Sequence, residues 1–196
     1  MDTKQMVELC QQGNKEAFNQ LYKRYYARTL RTAYLIVGRK AIAEDIVQEA
    51  FCQCYCDIKR LKHIEAFEAW FNKLLIRTCW SVSAKERKKE HTYLEENIAF
   101  QDNNKEIENI HINEVIHHAI NQLSIPLRTT VILYYYNEMS IKQIAKTLNC
   151  LQGTVKSRLY AARKQIEKEM IENGLFNDSE QVTLMKVGGR LNESKI

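Results

Sequence analysis

Apolar and polar positions alternate with a helical period over most of the chain. In residues 13–38, GNKEAFNQLYKRYYARTLRTAYLIVG, Ala17, Leu21 and Tyr25 and then Leu30, Ala33 and Tyr34 form one amphipathic stripe. Asn14 is placed to cap this helix and Gly38 to end it. Residues 41–58 predict a second helix, with Ile42, Ile46, Val47, Ala50, Phe51 and Cys54 on its apolar face and Glu44, Asp45, Gln48 and Glu49 off it. A short loop, 59–66, precedes a third helix that carries Phe67, Trp70, Phe71, Leu74 and Leu75 and runs into the basic cluster KERKK at 85–89. Periodicity then fails from 91 to 112, which reads as a linker. It resumes in a helix over 114–123 and another over 124–138, whose first turn holds the single proline, Pro126. Beyond 173 little periodicity returns, and 173–196 reads as a weakly ordered tail of unassigned role.

The most informative run is SIKQIAKTLNCLQGTVKSRLYAARKQI, residues 140–166. Ser140 and Gln143 have the spacing of a capping box, and Asn149-Cys150 marks a bend between two helices, as in a helix-turn-helix. At 100° per residue, Val155, Leu159, Ala162 and Ile166 share one narrow sector of the second helix and are expected to pack inward. Lys156, Ser157, Tyr160, Ala161 and Lys164 fall on the opposite side, with Thr154, Arg158 and Arg163 between. Such an outward face suits a major groove: lysine reaches phosphate or a guanine edge, serine contacts either, and tyrosine lies against sugar or a thymine methyl. Gly153, at the helix start, lets the backbone come close to a phosphate.

Composition narrows the fold class. With one proline and six glycines in 196 residues, turn formers are too scarce for an all-β chain. The expectation is an all-α protein of two small helical domains, 1–90 and 114–172, joined by a flexible acidic linker, 91–113. The C-terminal domain is expected to hold four helices around the helix-turn-helix. A net charge of +5 hides segregation, because the acidic residues Glu95, Glu96, Asp102, Glu106, Glu108 and Glu114 separate two basic blocks. Separate basic surfaces meeting a polyanion fit that pattern. The N-terminus shows no signal-peptide core, and no apolar run reaches the roughly 20 residues a membrane span needs, so the chain is expected in the cytoplasm.

Six cysteines are expected as reduced thiols. CQCYC at 52–56 puts Cys52 and Cys56 on one helical face and Cys54 opposite, without a tetrahedral ligand set, which leaves a metal-responsive module as a minor alternative. No nucleophile–base set, phosphate-cradling loop or carboxylate pair suggests catalysis, and His117-His118 reads as surface. The chain is therefore expected to have no enzyme activity, cofactor, metal or small-molecule substrate.

AEDIVQEAF at 43–51, FEAWFNKLLIRTC at 67–79 and LSIPLRTTVILYYYNEMSIKQIAKTLNCLQGTVKSRLYAAR from 123 onward resemble, in order, the extracytoplasmic-function class of bacterial RNA polymerase sigma factors in the sigma-70 family. The likeness covers nearly all of residues 5–170. It implies that the N-terminal domain binds the β′ clamp helices of core polymerase and melts the −10 element. The C-terminal domain would read the −35 element and touch the β flap, and the acidic linker would thread the RNA exit path. Core binding would fall to Glu44, Asp45, Gln48, Glu49 and Phe51, an acidic patch beside an apolar face. Contact with the melted −10 strand would fall to Arg77, Trp80, Ser81, Arg87 and Lys88, with Lys89 beside them, because single strands need aromatic platforms and cations. The loop 59–66 lies where relatives hold a flipped −10 base. The −35 set is Gly153, Thr154, Lys156, Ser157, Arg158, Tyr160 and Lys164.

The resemblance also implies an inhibitory anti-sigma partner, often a membrane-spanning one, that can hold the factor at the membrane. Arg77 replaces a usual Asn, Ser81 stands where Asp or Asn is common, and Ala161 stands where Arg is frequent, so the promoter sequence does not carry over. The competing reading is a stand-alone helix-turn-helix regulator. It needs a sensory or dimerising N-terminal domain, and residues 1–90 lack the strand–helix alternation of a receiver.

Overall fold

The computed structural model describes residues 1–89, the last three through their backbone only, and 116–173. The expected linker from 91 to 113 and the tail from 174 lie outside the described residues. So do the side chains of Arg87, Lys88 and Lys89.

Every regular element described is helical. Helix α1 (Thr3–Gln11) was not anticipated from the pattern, because it is short and buries only Met6, Val7 and Cys10. Its start is written in the sequence as a capping box: the Gln5 backbone N–H donates to Asp2 Oδ1 at 2.8 Å and the Asp2 N–H donates to Gln5 Oε1 at 3.1 Å. Helix α2 (Lys15–Val37) is capped as expected, with the Ala17 N–H on Asn14 Oδ1 at 3.0 Å. It stops where Gly38 takes the left-handed conformation, φ 80°, and returns its N–H to the Tyr34 carbonyl. Helices α3 (Lys40–Asp57) and α4 (Phe67–Lys89) follow, separated by short 3-10 turns at Ile58–Arg60 and Ile64–Ala66.

Helices α2, α3 and α4 pack through an aromatic core in which Phe51, Phe67 and Phe71 are buried. Phe67 stacks on Phe71 at 5.7 Å, and Phe51 meets Tyr22 at 4.6 Å and Phe71 at 4.9 Å.

The C-terminal set comprises α5 (116–122), α6 (Ile125–Val131), α7 (Ile141–Leu148) and α8 (Gln152–Glu172). Leu123, Leu133, Ile144, Val155, Leu159 and Ala162 form its interior. The predicted helix over 124–138 is interrupted: after Val131 the chain widens into a π-helical turn, Ile132–Tyr136, and the Asn137 N–H closes on the Ile132 carbonyl at 3.0 Å. This turn carries Asn137 inward, where it is 6% exposed.

Helices α6 and α7 and the π turn pack against α2 and α4. Polar groups join the two sets. Arg28 Nη2 donates to the Asn137 carbonyl at 3.0 Å, Thr32 Oγ1 to Asn137 Oδ1 at 3.2 Å, and Arg128 Nη1 to the Ile36 carbonyl at 3.1 Å. Among the described residues no helix is long and apolar enough to cross a membrane.

Candidate nucleic-acid interface

Three solvent-facing helical surfaces carry the residues singled out by sequence. The first is on α8. Its start is set by the turn that leaves α7: Asn149 adopts φ 51° and ends α7, and the Cys150 N–H also closes back on the Ala145 carbonyl at 3.0 Å. The Ser140–Gln143 capping box that opens α7 is formed, with the Ser140 N–H on Gln143 Oε1 at 2.8 Å. Val155, Leu159 and Ala162 are buried against the rest of the C-terminal set, and Ile166 packs at the edge of that interior. Lys156, Ser157, Tyr160, Ala161 and Lys164 are exposed, and Thr154 and Arg158 are half-buried at the flanks, as the helical wheel places them.

Tyr160 is 67% exposed, a large ring with a whole face open to water. A Cβ built on Gly153 would meet nothing within 4 Å, so packing among the described residues does not demand glycine there. The Ser157 hydroxyl donates to the Thr154 carbonyl at 3.0 Å, which holds its oxygen against the helix with lone pairs outward.

The second surface is on α3. Asp45, Gln48 and Glu49 are exposed along one stripe, with Glu44 exposed beside it. Cys52 and Cys56 continue the stripe, while Cys54 is buried behind it, which matches the wheel. Phe51 departs from expectation. It is 4% exposed and locked among Tyr22, Phe18 and Phe71, so it supports the helix from inside and presents no surface to a partner. Its position between polar residues in QEAFCQ gave no sign of this beyond the apolar stripe itself.

The third surface is on α4. Arg77 and Ser81 are exposed one turn apart, and Lys73, which sequence reasoning did not select, lies one turn before Arg77 on the same face. Spacing four residues from Arg77 was the available signal. Trp80 is not free: it is half-buried and its indole N–H donates to Thr129 Oγ1 of α6 at 3.0 Å. The helix backbone extends through Arg87 and Lys88, whose side chains lie outside the described residues.

The loop 59–66 is held by α1. Gln11 Nε2 donates to both the Ile58 carbonyl, at 3.0 Å, and the Leu61 carbonyl, at 2.8 Å, and Lys4 pairs with Glu65 at 3.3 Å. His117 and His118 are exposed, as read.

The chain is similar to known proteins along most of its length. The family description "Sigma-70 region 2" matches residues 21–88, and "Sigma-70, region 4" matches residues 113–166. The RNA polymerase sigma-H factor of Pseudomonas aeruginosa is 29% identical over 178 residues, covering 85% of this chain and 92% of the relative. The ECF RNA polymerase sigma-E factor of Haemophilus influenzae is 27% identical, covering 84% and 93%. The ECF RNA polymerase sigma factor SigW of Bacillus subtilis is 25% identical, covering 87% and 97%.

Among solved structures, CnrH in complex with the cytosolic domain of CnrY superposes with a TM-score of 0.65 at 16% identity, covering 87% of this chain and 97% of that one. The sigma factor RpoE of Bartonella quintana, solved with the anti-sigma factor NepR, gives 0.66 at 20% identity, covering 78% and 96%. Both likenesses establish the helical fold.

Proposed function

The chain belongs to the sigma-70 family of RNA polymerase sigma factors, in its extracytoplasmic-function class, and from that premise we propose how its exposed surfaces divide the work of promoter-specific initiation. The observation that carries the reading is the match of regions 2 and 4, in order, to two helical sets that each present a separate exposed polar face.

The acidic stripe Asp45, Gln48 and Glu49, with Glu44, meets the β′ clamp helices of core polymerase. Carboxylates on a rigid helix complement a basic coiled-coil surface and speed encounter by electrostatic steering. The α4 face of Lys73, Arg77 and Ser81, continued by Arg87 and Lys88, follows the melted −10 strand through its phosphates, and Trp80 supplies a stacking platform. The loop 59–66, tied down by Gln11, holds the flipped −10 base; extrusion costs a few kcal/mol of unstacking, so the loop must be pre-formed. The α8 face of Lys156, Ser157, Tyr160 and Lys164, with Thr154 and Arg158 at its edges and the open backbone of Gly153 at its tip, enters the major groove at −35. The C-terminal set also touches the β flap. Its sequence-defined limits, 1–90 and 114–172, are those of the two functional units, with the acidic 91–113 between them in the RNA exit path.

In this division the chain is a regulatory subunit, and polymerase performs the chemistry. An anti-sigma protein is the expected inhibitor, acting from the cytoplasmic side on the same acidic and apolar surfaces that polymerase uses. The test is reconstitution. The purified chain mixed with core polymerase should co-elute on a sizing column, and the complex should give discrete run-off transcripts from fragmented genomic DNA. Failure to co-elute would overturn the reading.

A further inference from the structure

Leu151 breaks a rule twice. By sequence it opens the stripe Leu151, Val155, Leu159, Ala162, all at helical spacing, and belongs with the core. In the structure Val155, Leu159 and Ala162 are buried but Leu151 is 79% exposed, more than any other large hydrophobic residue described. The cause is local. Leu151 is the N-cap of α8, in extended backbone at φ −72° and ψ 150°, so its side chain leaves the line that the helical residues follow. The left-handed Asn149 and the Cys150 N–H bond to Ala145 fix the turn, and Cys150 takes the inward place instead.

The second departure is chemical. An N-cap is normally Ser, Thr, Asp or Asn, whose oxygen accepts a first-turn N–H. The caps of α1, α2 and α7 here do so, through Asp2, Asn14 and Ser140. Leucine forms no such bond and is among the poorest caps. The fold thus gains neither burial nor capping from leucine at this position. Its place is at the tip of the helix that enters the major groove, where the first residues of a recognition helix meet base edges. An exposed isobutyl group there has one apolar partner in B-DNA, the C5 methyl of a pyrimidine.

We propose that Leu151 is a specificity-determining residue of the −35 reader, and that it selects a base pair by packing on a pyrimidine C5 methyl group in the major groove. The proposal rests on the −35 reading of α8. Its neighbours complete the contact: Gln152 is exposed beside it for an adenine edge, and Gly153 leaves the backbone room to approach.

Every base pair carries one pyrimidine, and its C5 methyl can be removed (thymine to uracil) or added (cytosine to 5-methylcytosine). A promoter taken from the run-off mapping is therefore synthesised with each −35 pyrimidine changed singly. Holoenzyme made with the full chain is then measured for binding to each duplex. The wild type should change affinity by about fourfold at one or two adjacent pairs, the effect of one buried methyl group. Holoenzyme carrying Leu151→Ser should be indifferent to the methyl at those pairs and unchanged elsewhere. Serine restores a good N-cap, so α8 is expected to be at least as stable by thermal melting. Leu151→Met, still apolar, should keep the methyl preference.

A methyl scan identical for the wild type and Leu151→Ser overturns the proposal. So does loss of core binding by Leu151→Ser without a methyl effect, which would make Leu151 a polymerase contact. Wild-type holoenzyme indifferent to the whole −35 element would instead overturn the −35 reading, and this proposal with it.

Discussion

At the scale of single residues, the two faces proposed to meet different macromolecules should separate by mutation. Lys156 and Tyr160 are exposed and project from a helix whose anchors, Val155 and Leu159, are buried. Truncating them removes the proposed DNA contacts without touching the core. Lys156→Ala should weaken promoter binding by ~1–2 kcal/mol and lower the slope of log affinity against log salt by about 1, since one phosphate neutralisation is lost. Tyr160→Ala should weaken −35-dependent transcription, and both variants should co-elute with core polymerase as the wild type does. Asp45→Ala with Gln48→Ala should do the reverse in the same two assays, and identical behaviour of the two sets would refute the division.

Burial divides the cysteines into two sets. Burial pushes the Cys54 and Cys79 thiols from the ordinary 9.0 up to about 12, whereas Cys52 and Cys56 face solvent. A thiol whose folded pKa is raised stays protonated in the fold while the unfolded chain ionises. Stability is therefore level below pH ~9 and falls as pH rises from there toward 12. Urea midpoints measured from pH 7.5 to 10.5 should be flat and then decline, and an alkylating reagent at pH 8 should modify Cys52 and Cys56 well before Cys54 and Cys79.

At the scale of elements, periodicity located α2, α3 and α4 to within a residue or two, and the Ser140 cap with the Asn149-Cys150 bend located α7 and the start of α8, which runs on to Glu172, beyond the short helix expected. Long amphipathic helices announce both face and ends. The failures have physical reasons. Helix α1 has too few turns for a stripe, and only its Asp2–Gln5 cap betrays it. The π turn adds a residue without changing the apolar character of ILYYY, so nothing in the run distinguishes it from a straight helix. Leu151 and Phe51 fail in different ways. The stripe could not show that an N-cap turns outward, whereas it did place Phe51 on the apolar face, and only the resemblance assigned that residue to a partner. Function was readable mainly from the ordered blocks at 43–51, 67–79 and 123–163 that resemble sigma factors, since the outward face of α8 alone reads only as DNA-binding and the acidic stripe of α3 alone as a solvated face.

Two elements carry predictions. Ser140→Ala removes the accepting oxygen of the α7 capping box and should cost ~1 kcal/mol in urea denaturation. Gln11→Ala frees the Leu61 carbonyl of the loop 59–66, and that of Ile58 just before it, from their shared donor. Loop order, and with it base capture, should drop, giving a roughly tenfold loss of permanganate-reactive −10 thymines for ~1.4 kcal/mol of lost hydrogen bonding. Core affinity should stay near wild type and the melting temperature should fall by only about a few degrees, a split that loss of the folded domain would not produce.

At the scale of the whole molecule, the seam between the two helical sets conflicts with the span of a promoter. The −35 and −10 elements lie about 25 base pairs apart, or ~85 Å at ~3.4 Å per pair. The described residues, about 150 packed as one body, have a radius of gyration near ~15 Å. Helices joined across a common seam cannot sit on both elements at once, so the seam must part before the promoter is read. Its contacts are suited to a reversible joint. Beside the apolar packing of one buried cluster shared by both sets, they include the hydrogen bonds of Asn137 with Arg28 and Thr32, of Arg128 with Ile36 and of Trp80 with Thr129, together with the Arg31 guanidinium 5.5 Å from the Tyr136 ring centre.

Each is worth ~1 kcal/mol against water, and each donor can turn to solvent, phosphate or base when the sets separate. Trp80 ties the joint to function, because the indole expected to stack on the −10 strand is the one held by Thr129. Arg28→Ala removes one bond from an exposed side chain and spares the interior, while Asn137→Ala removes the side-chain oxygen that accepts from Thr32 and leaves the backbone carbonyl that Arg28 uses. The free wild-type chain should scatter X-rays as a compact particle and expand on binding core polymerase. Both variants should be expanded already and should bind a −10 single strand several-fold more tightly. Unchanged scattering together with unchanged single-strand affinity in both variants would mean that these bonds do not hold the sets together, and that Trp80 reaches the strand by another route.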